Sequence, residues 1–145
     1  MSRTTDRLDK RRSQKGFTLI ELMIVMIILS LLAALVGPKL FQKIGSSKQK
    51  AAKAQIALFG GALDQFRLDI GRYPSGEEGL DALRKNPRLD HWDGPYLPKE
   101  VPPDPWGKPY IYKAPGEHGD YDLFSLGADG QDGGEGENAD VNSWD

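Results

Sequence analysis

Between Phe17 and Val36 runs FTLIELMIVMIILSLLAALV, an apolar stretch whose only charge is Glu21. About 20 residues of this kind match a hydrocarbon core of roughly 30 Å, and no other feature of the chain restricts its fold as strongly. Ahead of it Arg3, Arg7, Lys10, Arg11, Arg12 and Lys15 outweigh Asp6 and Asp9, and no comparable cationic stretch directly follows it. That asymmetry predicts a single-pass helix with its N-terminus in the cytoplasm. A secretory signal peptide shares the outline, but this run is long for one. Glu21 breaks it near its start, and its closing small residues lead into Gly37-Pro38, where proline obstructs ordinary signal-peptidase cleavage.

Beyond Pro38 the apolar residues Ile56, Phe59, Leu63, Phe66 and Ile70 recur at spacings of three and four, the stripe of an amphipathic helix. Lys48, Lys50, Lys53, Asp64, Arg67 and Asp69 lie between them. The reading is one long helix in two parts: a membrane-spanning part, residues 17–37, and an amphipathic part, residues 38–72. Proline at 38 removes a helical hydrogen bond and is expected to kink or locally open the helix. Gly71 and Pro74 supply the stop.

Residues 73–145 change character, with short elements punctuated by proline and glycine. Glu77 to Lys85 is expected to form a short helix with Leu80 and Leu83 inward, and the proline-dense stretch from Asp93 to Pro109 an ordered or semi-ordered loop. Tyr110 to Tyr112 and Tyr121 to Leu126 are expected to be strands joined by a turn around Gly116 and Gly119. A long helix packed on a small antiparallel β head is an α+β fold.

A formal net charge of -2 conceals this polarity, because no Lys or Arg occurs after Lys113 while Glu117, Asp120, Asp122, Asp129, Asp132, Glu135, Glu137, Asp140 and Asp145 accumulate. The basic run adjoins an apolar segment and offers no platform for bases, which argues against nucleic-acid binding. The absence of Cys excludes disulfides and thiolate metal sites. His91 and His118 lack the spacing of a zinc site. No nucleophile has a recognisable base, and G-x-x-x-x-G-K-[ST] is absent, so a non-enzymatic chain is expected.

Lys15-Gly16-Phe17-Thr18-Leu19-Ile20-Glu21 resembles the leader motif of type IV pilins and pseudopilins. The resemblance implies that residues 1–16 are a leader removed by prepilin peptidase between Gly16 and Phe17, with N-methylation of Phe17. A residue without a side chain at Gly16 permits close approach to the backbone. It also implies that Glu21 pairs with the terminal amine of a neighbouring subunit during assembly. A lone intramembrane carboxylate has another reading, in which it snorkels to the interface or is protonated.

Within the head, Tyr73-Pro74, Asp104-Pro105-Trp106-Gly107, Pro109-Tyr110 and Tyr121 to Gly130 are similar to the major pseudopilins of type II secretion systems. That similarity implies a calcium-closed loop in place of a disulfide, ligated by the side chains of Asp129 and Asp140 and the carbonyls of Leu126, Gln131 and Asn138. Asp132, Glu135 and Glu137 are expected to be solvated. Counted from Asp129, the third and fifth positions are Gln131 and Gly133, so the loop is not an EF-hand. On charge alone an acidic flexible tail is the competing reading, against which Trp144 offers an anchor. The family further implies an inner-membrane homopolymer whose head and fibre are periplasmic. Its expected partners are minor pseudopilins and an assembly platform driven by a cytoplasmic ATPase, and its role is to support export of folded proteins across the outer membrane. A surface type IV pilin and a monomeric membrane-anchored calcium-binding module are the alternatives.

Overall fold

The structure, a computed structural model, describes residues 16–145; the basic residues before Gly16, expected to be a leader, lie outside the described residues. Its elements in chain order are helix α1 (Leu19–Ile70), a 3-10 helix (Leu80–Leu83), strands β1 (Ile111–Lys113) and β2 (Asp122–Ser125), a second 3-10 helix (Gly136–Asn138) and strand β3 (Val141–Asn142). The chain divides into two compact units, Met1–Pro38 and Lys39–Asp145.

In the first unit α1 is apolar on every side and its side chains are exposed, from Phe17 at 85% to Val36 at 56%. It is the one helix among the described residues long and apolar enough to cross a membrane. The helix opens with a reciprocal cap: the N–H of Glu21 donates to Thr18 Oγ1 at 3.2 Å, and the N–H of Thr18 donates to Glu21 Oε2 at 3.4 Å. This is a capping box, which satisfies two backbone donors that a helix start leaves free. Pro38 lies inside α1, whose helical assignment runs through it, so the expected local opening is not observed.

The second unit is organised on the predicted stripe. Ile56, Phe59, Leu63 and Phe66 are buried together with Ala52 and Ala62, and Ile70 packs at the margin. Against them lie Leu80 and Leu83 from the 3-10 helix, Leu97 from the proline-dense segment, Tyr110, Leu123 and Val141. Phe59 meets the Tyr110 ring edge-on at 5.3 Å, and Phe66 meets Tyr96 at 5.6 Å. Gly71, at φ +88°, ends the helix and returns its N–H to Arg67 O at 2.7 Å.

The sheet has the order β1-β2-β3, antiparallel throughout. Tyr112 pairs with Leu123, and Ser125 with Val141. The predicted hairpin is present, and the third strand adds an edge that the sequence pattern does not announce. The β1–β2 turn wraps the buried Asp122, which accepts the N–H of Glu117 at 2.9 Å, the N–H of His118 at 3.1 Å and a contact from His118 Nδ1 at 3.0 Å.

Arg72 and Glu78 close the chain where it leaves α1. Arg72 donates to both Glu78 oxygens at 2.7 and 2.8 Å, and Ser75 and Glu78 exchange reciprocal side-chain to backbone hydrogen bonds across the turn. The Arg72 hydrogen bond, opposed by burial and assisted by the Ser75 N–H, holds the Glu78 carboxyl at about 2, below its ordinary 4.5. A carboxyl depressed on folding stabilises the protein above its unfolded value and loses that contribution as pH falls through the folded one. We therefore expect Glu78→Gln to flatten the decline in melting temperature between pH 4.5 and about 2 relative to the parent chain, measured by acid-range calorimetry. A parent curve already flat over that window would show that the pair contributes nothing.

Candidate functional site

Residues 126–140 join β2 to β3 as a glycine-rich acidic loop, and the structure shows how a chain without disulfides holds such a segment. Asp104 is buried, at 4% exposure. One of its oxygens accepts the N–H groups of Trp106 at 3.0 Å and Lys108 at 2.8 Å, and the other accepts the Ser125 hydroxyl at 2.6 Å. Ser125 Oγ in turn accepts the Gly127 N–H at 3.3 Å. The buried charge is thus stabilised by several donors, as burial of a carboxylate requires.

The same turn holds both legs of the loop. Lys108 donates its ammonium to Ala128 O at 2.8 Å and Gly127 O at 3.4 Å. Trp106 Nε1 donates to Glu137 Oε1 at 3.2 Å. Across the loop, the N–H of Ala128 donates to Glu137 O at 3.0 Å. From α1, Lys48 approaches Glu137 at 3.8 Å. Glu137 is therefore tethered to the helix and the Trp106 turn while its side chain stays exposed, at 42%, as expected.

Of the predicted ligands, Asp140 is the one that the structure turns inward. Its Oδ2 accepts the Gly133 N–H at 2.9 Å, while its Oδ1 is buried without a partner among the described residues. Burial pushes its carboxyl up, the Gly133 N–H opposes this, and Asp132 and Asp129 push it further in the same direction. Asp132, expected in solvent, thus lies near enough to be felt. Asp129 is exposed and accepts the Gln131 N–H on Oδ1 at 3.1 Å. The Asn138 carbonyl lies close to two glycines: a Cβ on Gly127 would fall 2.7 Å from its oxygen, and one on Gly134 2.6 Å. Both glycines have positive φ, +66° and +91°, so they are required twice over. Leu126 is half-buried and Gln131 exposed.

Among the described residues no group of three His, Cys, Asp or Glu forms a ready-made metal cluster. A hard cation held largely by carbonyls with two carboxylates does not need one. The unpartnered Asp140 oxygen, with Asp129 near enough to act on it, fits such an ion. Trp144 stacks flat on His118, with centroids 4.0 Å apart and an angle of 4°, and meets Phe124 edge-on at 5.7 Å. The end of the loop is anchored as the position of Trp144 suggested.

Ahead of α1, Gly16 has open space around it and Phe17 is exposed beside the Thr18–Glu21 cap. The cap was findable, since Thr18-Leu19-Ile20-Glu21 has the T-x-x-E spacing directly before an apolar run. The loop contacts of Gln49, Asp104 and Lys108 leave no local signal, because each joins residues far apart in sequence.

Two family descriptions match the chain: the prokaryotic N-terminal methylation motif over residues 11–37, and type II secretion system protein G over residues 39–144. The chain is 47% identical over 140 residues to a type II secretion system core protein G of Pseudomonas aeruginosa, covering 94% of this chain and 99% of the relative. It is 43% identical over 141 residues to the protein of the same description from Vibrio cholerae, covering 94% and 96%. The crystal structure of the major pseudopilin from the type 2 secretion system of enterohaemorrhagic Escherichia coli superposes with a TM-score of 0.60 at 33% identity, covering 74% of this chain and 95% of that one. An apolar N-terminal helix carrying a small antiparallel head is here the pseudopilin architecture. The chain belongs to the type II secretion system protein G family. None of these matches favours the surface-pilin or monomeric-module alternatives.

Proposed function

We propose that this chain works as the major structural subunit of a type II secretion pseudopilus. The observation that carries this is the all-round exposure of apolar side chains from Phe17 to Val36, continued by Leu40, Phe41 and Ile44, beside a head that has closed its own core. Such a surface must be covered, first by lipid and then by copies of the same helix. Where copies of one helix pack on each other heterologously and the rotation does not close, the product is an open helical fibre. The subunit starts in the inner membrane with a cytoplasmic N-terminus and a periplasmic head. It joins a homopolymer together with minor pseudopilins, on a platform powered by a cytoplasmic ATPase, and the fibre supports export of folded proteins.

Processing by prepilin peptidase falls between Gly16 and Phe17, leaving an N-methylated Phe17 as the first residue. We expect the intact mass in cells with active peptidase to begin at Phe17, and a bulky residue at Gly16 to leave the leader in place. A mass retaining residues 1–16 in the unaltered chain would overturn this.

Glu21 partners the amine of a neighbouring subunit. Because Glu21 also caps its own helix, Glu21→Val removes two interactions at once, whereas Glu21→Gln retains the cap and loses the charge. Both variants should insert in the membrane, since neither retains the span's only charge. Both should yield few sheared fibres by electron microscopy. Normal fibres from Glu21→Gln would assign the residue to capping alone.

The acidic loop holds one calcium ion through Asp129, Asp140 and the carbonyls of Leu126, Gln131 and Asn138. A bound calcium ion supplies the hard positive charge that Asp140 Oδ1 lacks. Binding to the folded state alone stabilises it by about 2.7 kcal/mol at about a hundred times Kd. Chelator should therefore lower the melting temperature of the chain in detergent, and Asp129→Ala or Asp140→Ala should reproduce the loss and abolish the response. Melting indifferent to both calcium and chelator would remove the metal from the reading.

A further inference from the structure

Gln49 lies on the part of α1 that faces the second leg of the acidic loop, and it has no place in the calcium ligand set. Its side-chain amide donates from Nε2 to Ala139 O at 2.8 Å, Gly136 O at 3.1 Å and Glu137 O at 3.3 Å. An amide carries two hydrogens, so three acceptors share them. Four residues earlier on the same helical face, Gly45 leaves room for the loop: a Cβ there would lie 3.2 Å from Glu137 Cβ and Cδ. Lys48, on the same face, approaches the Glu137 carboxylate at 3.8 Å. Residues 45, 48 and 49 thus form a seat for residues 136–139 at the i, i+3, i+4 spacing of one helix face.

The pattern of carbonyls gives this seat a purpose. Those of Gly136, Glu137 and Ala139 turn to Gln49, and the one between them, Asn138, does not. Its oxygen lies against Gly127 and Gly134, and the Ala139 oxygen lies against Gly127 as well. Gln49 thus holds three carbonyls of the segment and leaves the Asn138 carbonyl without a bond to the helix. The first leg is then registered on the second through the Ala128 N–H to Glu137 O at 3.0 Å.

We propose that Gln49 is a positioning residue that clamps the second leg of the acidic loop on α1 and thereby leaves the Asn138 carbonyl free of the helix. The clamp is a property of the protein alone, while its effect on a cation rests on the calcium reading above. Closure of the loop is consequently tied to the helix that also forms the fibre.

The test compares the full chain in detergent micelles with Gln49→Leu, which keeps the bulk and helix propensity but no donor, and Gln49→Lys, which restores a donor on a long stem. Amide hydrogen exchange is followed at Ala128, Asn138 and Ala139 in chelator and in calcium, alongside titration with calcium chloride. In chelator, Gln49→Leu should speed exchange at these amides on the order of tenfold, the equivalent of one strong hydrogen bond. Core amides between Ala52 and Phe66 should keep their rates. Calcium affinity should fall by a similar factor, and Gln49→Lys should recover part of both effects. Unchanged loop exchange in Gln49→Leu, or a uniform rise that includes the core amides, would overturn the clamp. A parent chain that takes up no calcium overturns the ligand reading alone, because the exchange rates in chelator still decide the role of Gln49.

Discussion

The head exists because one face of α1 supplies most of its core. Strands of two to four residues bury too little surface to hold together alone, and the sheet here gains stability by lying on Ile56, Phe59, Leu63 and Phe66. The 3-10 helix and the proline-dense segment reach the same stripe through Leu83 and Leu97, and they are tied to each other by the Tyr96 N–H donating to Leu83 O at 2.8 Å. Tyr110 shows the arrangement in one residue: its ring packs on Phe59, its hydroxyl donates to Gln55, and burial pushes its pKa up to about 12.

A second layer of order is electrostatic and works without a cation at its centre. Asp104 gathers two N–H groups and a hydroxyl, so its charge is stabilised by dipoles rather than by an ion pair. Asp122, inside the β1–β2 turn, likewise gathers two N–H groups and adds the His118 ring at 3.0 Å. Burial would raise its carboxyl, and the hydrogen bonds from His118 and Glu117 overcome that and lower it. These two carboxylates fix the two connections that flank β2. The central strand therefore carries its neighbours in register even though it contributes few side chains to the core.

Much of this plan was legible in the sequence, for reasons that can be named. The stripe of α1 follows from a spacing that only a helix makes contiguous, and its end follows from a glycine and a proline. The hairpin follows from aromatic and β-branched residues between turn residues. Strand β3 was illegible because two residues are too few to show alternation. Leu83 was expected inward, but the 3-10 form of its segment depends on contacts with the rest of the head. Pro38 was expected to disturb α1, yet the helical assignment continues through it, and a proline costs a helix one bond rather than its whole path. In the loop, Asp140 was identified from a family pattern. What places it, the legs clamped by Lys108, Trp106 and Gln49, is carried by residues with no periodicity and no shared motif.

Gly127, Gly130, Gly133, Gly134 and Gly136 all hold positive φ in the loop, so this segment gives up more backbone freedom on ordering than any other in the head. Its ordered state depends on a few outside anchors and not on a buried core. Segments held by few anchors open locally at less cost than global unfolding, and susceptibility to proteases follows the locally opened population. How long a subunit survives proteases thus depends on how rarely these anchors release together, and a head with an intact core can still be the one that is cut.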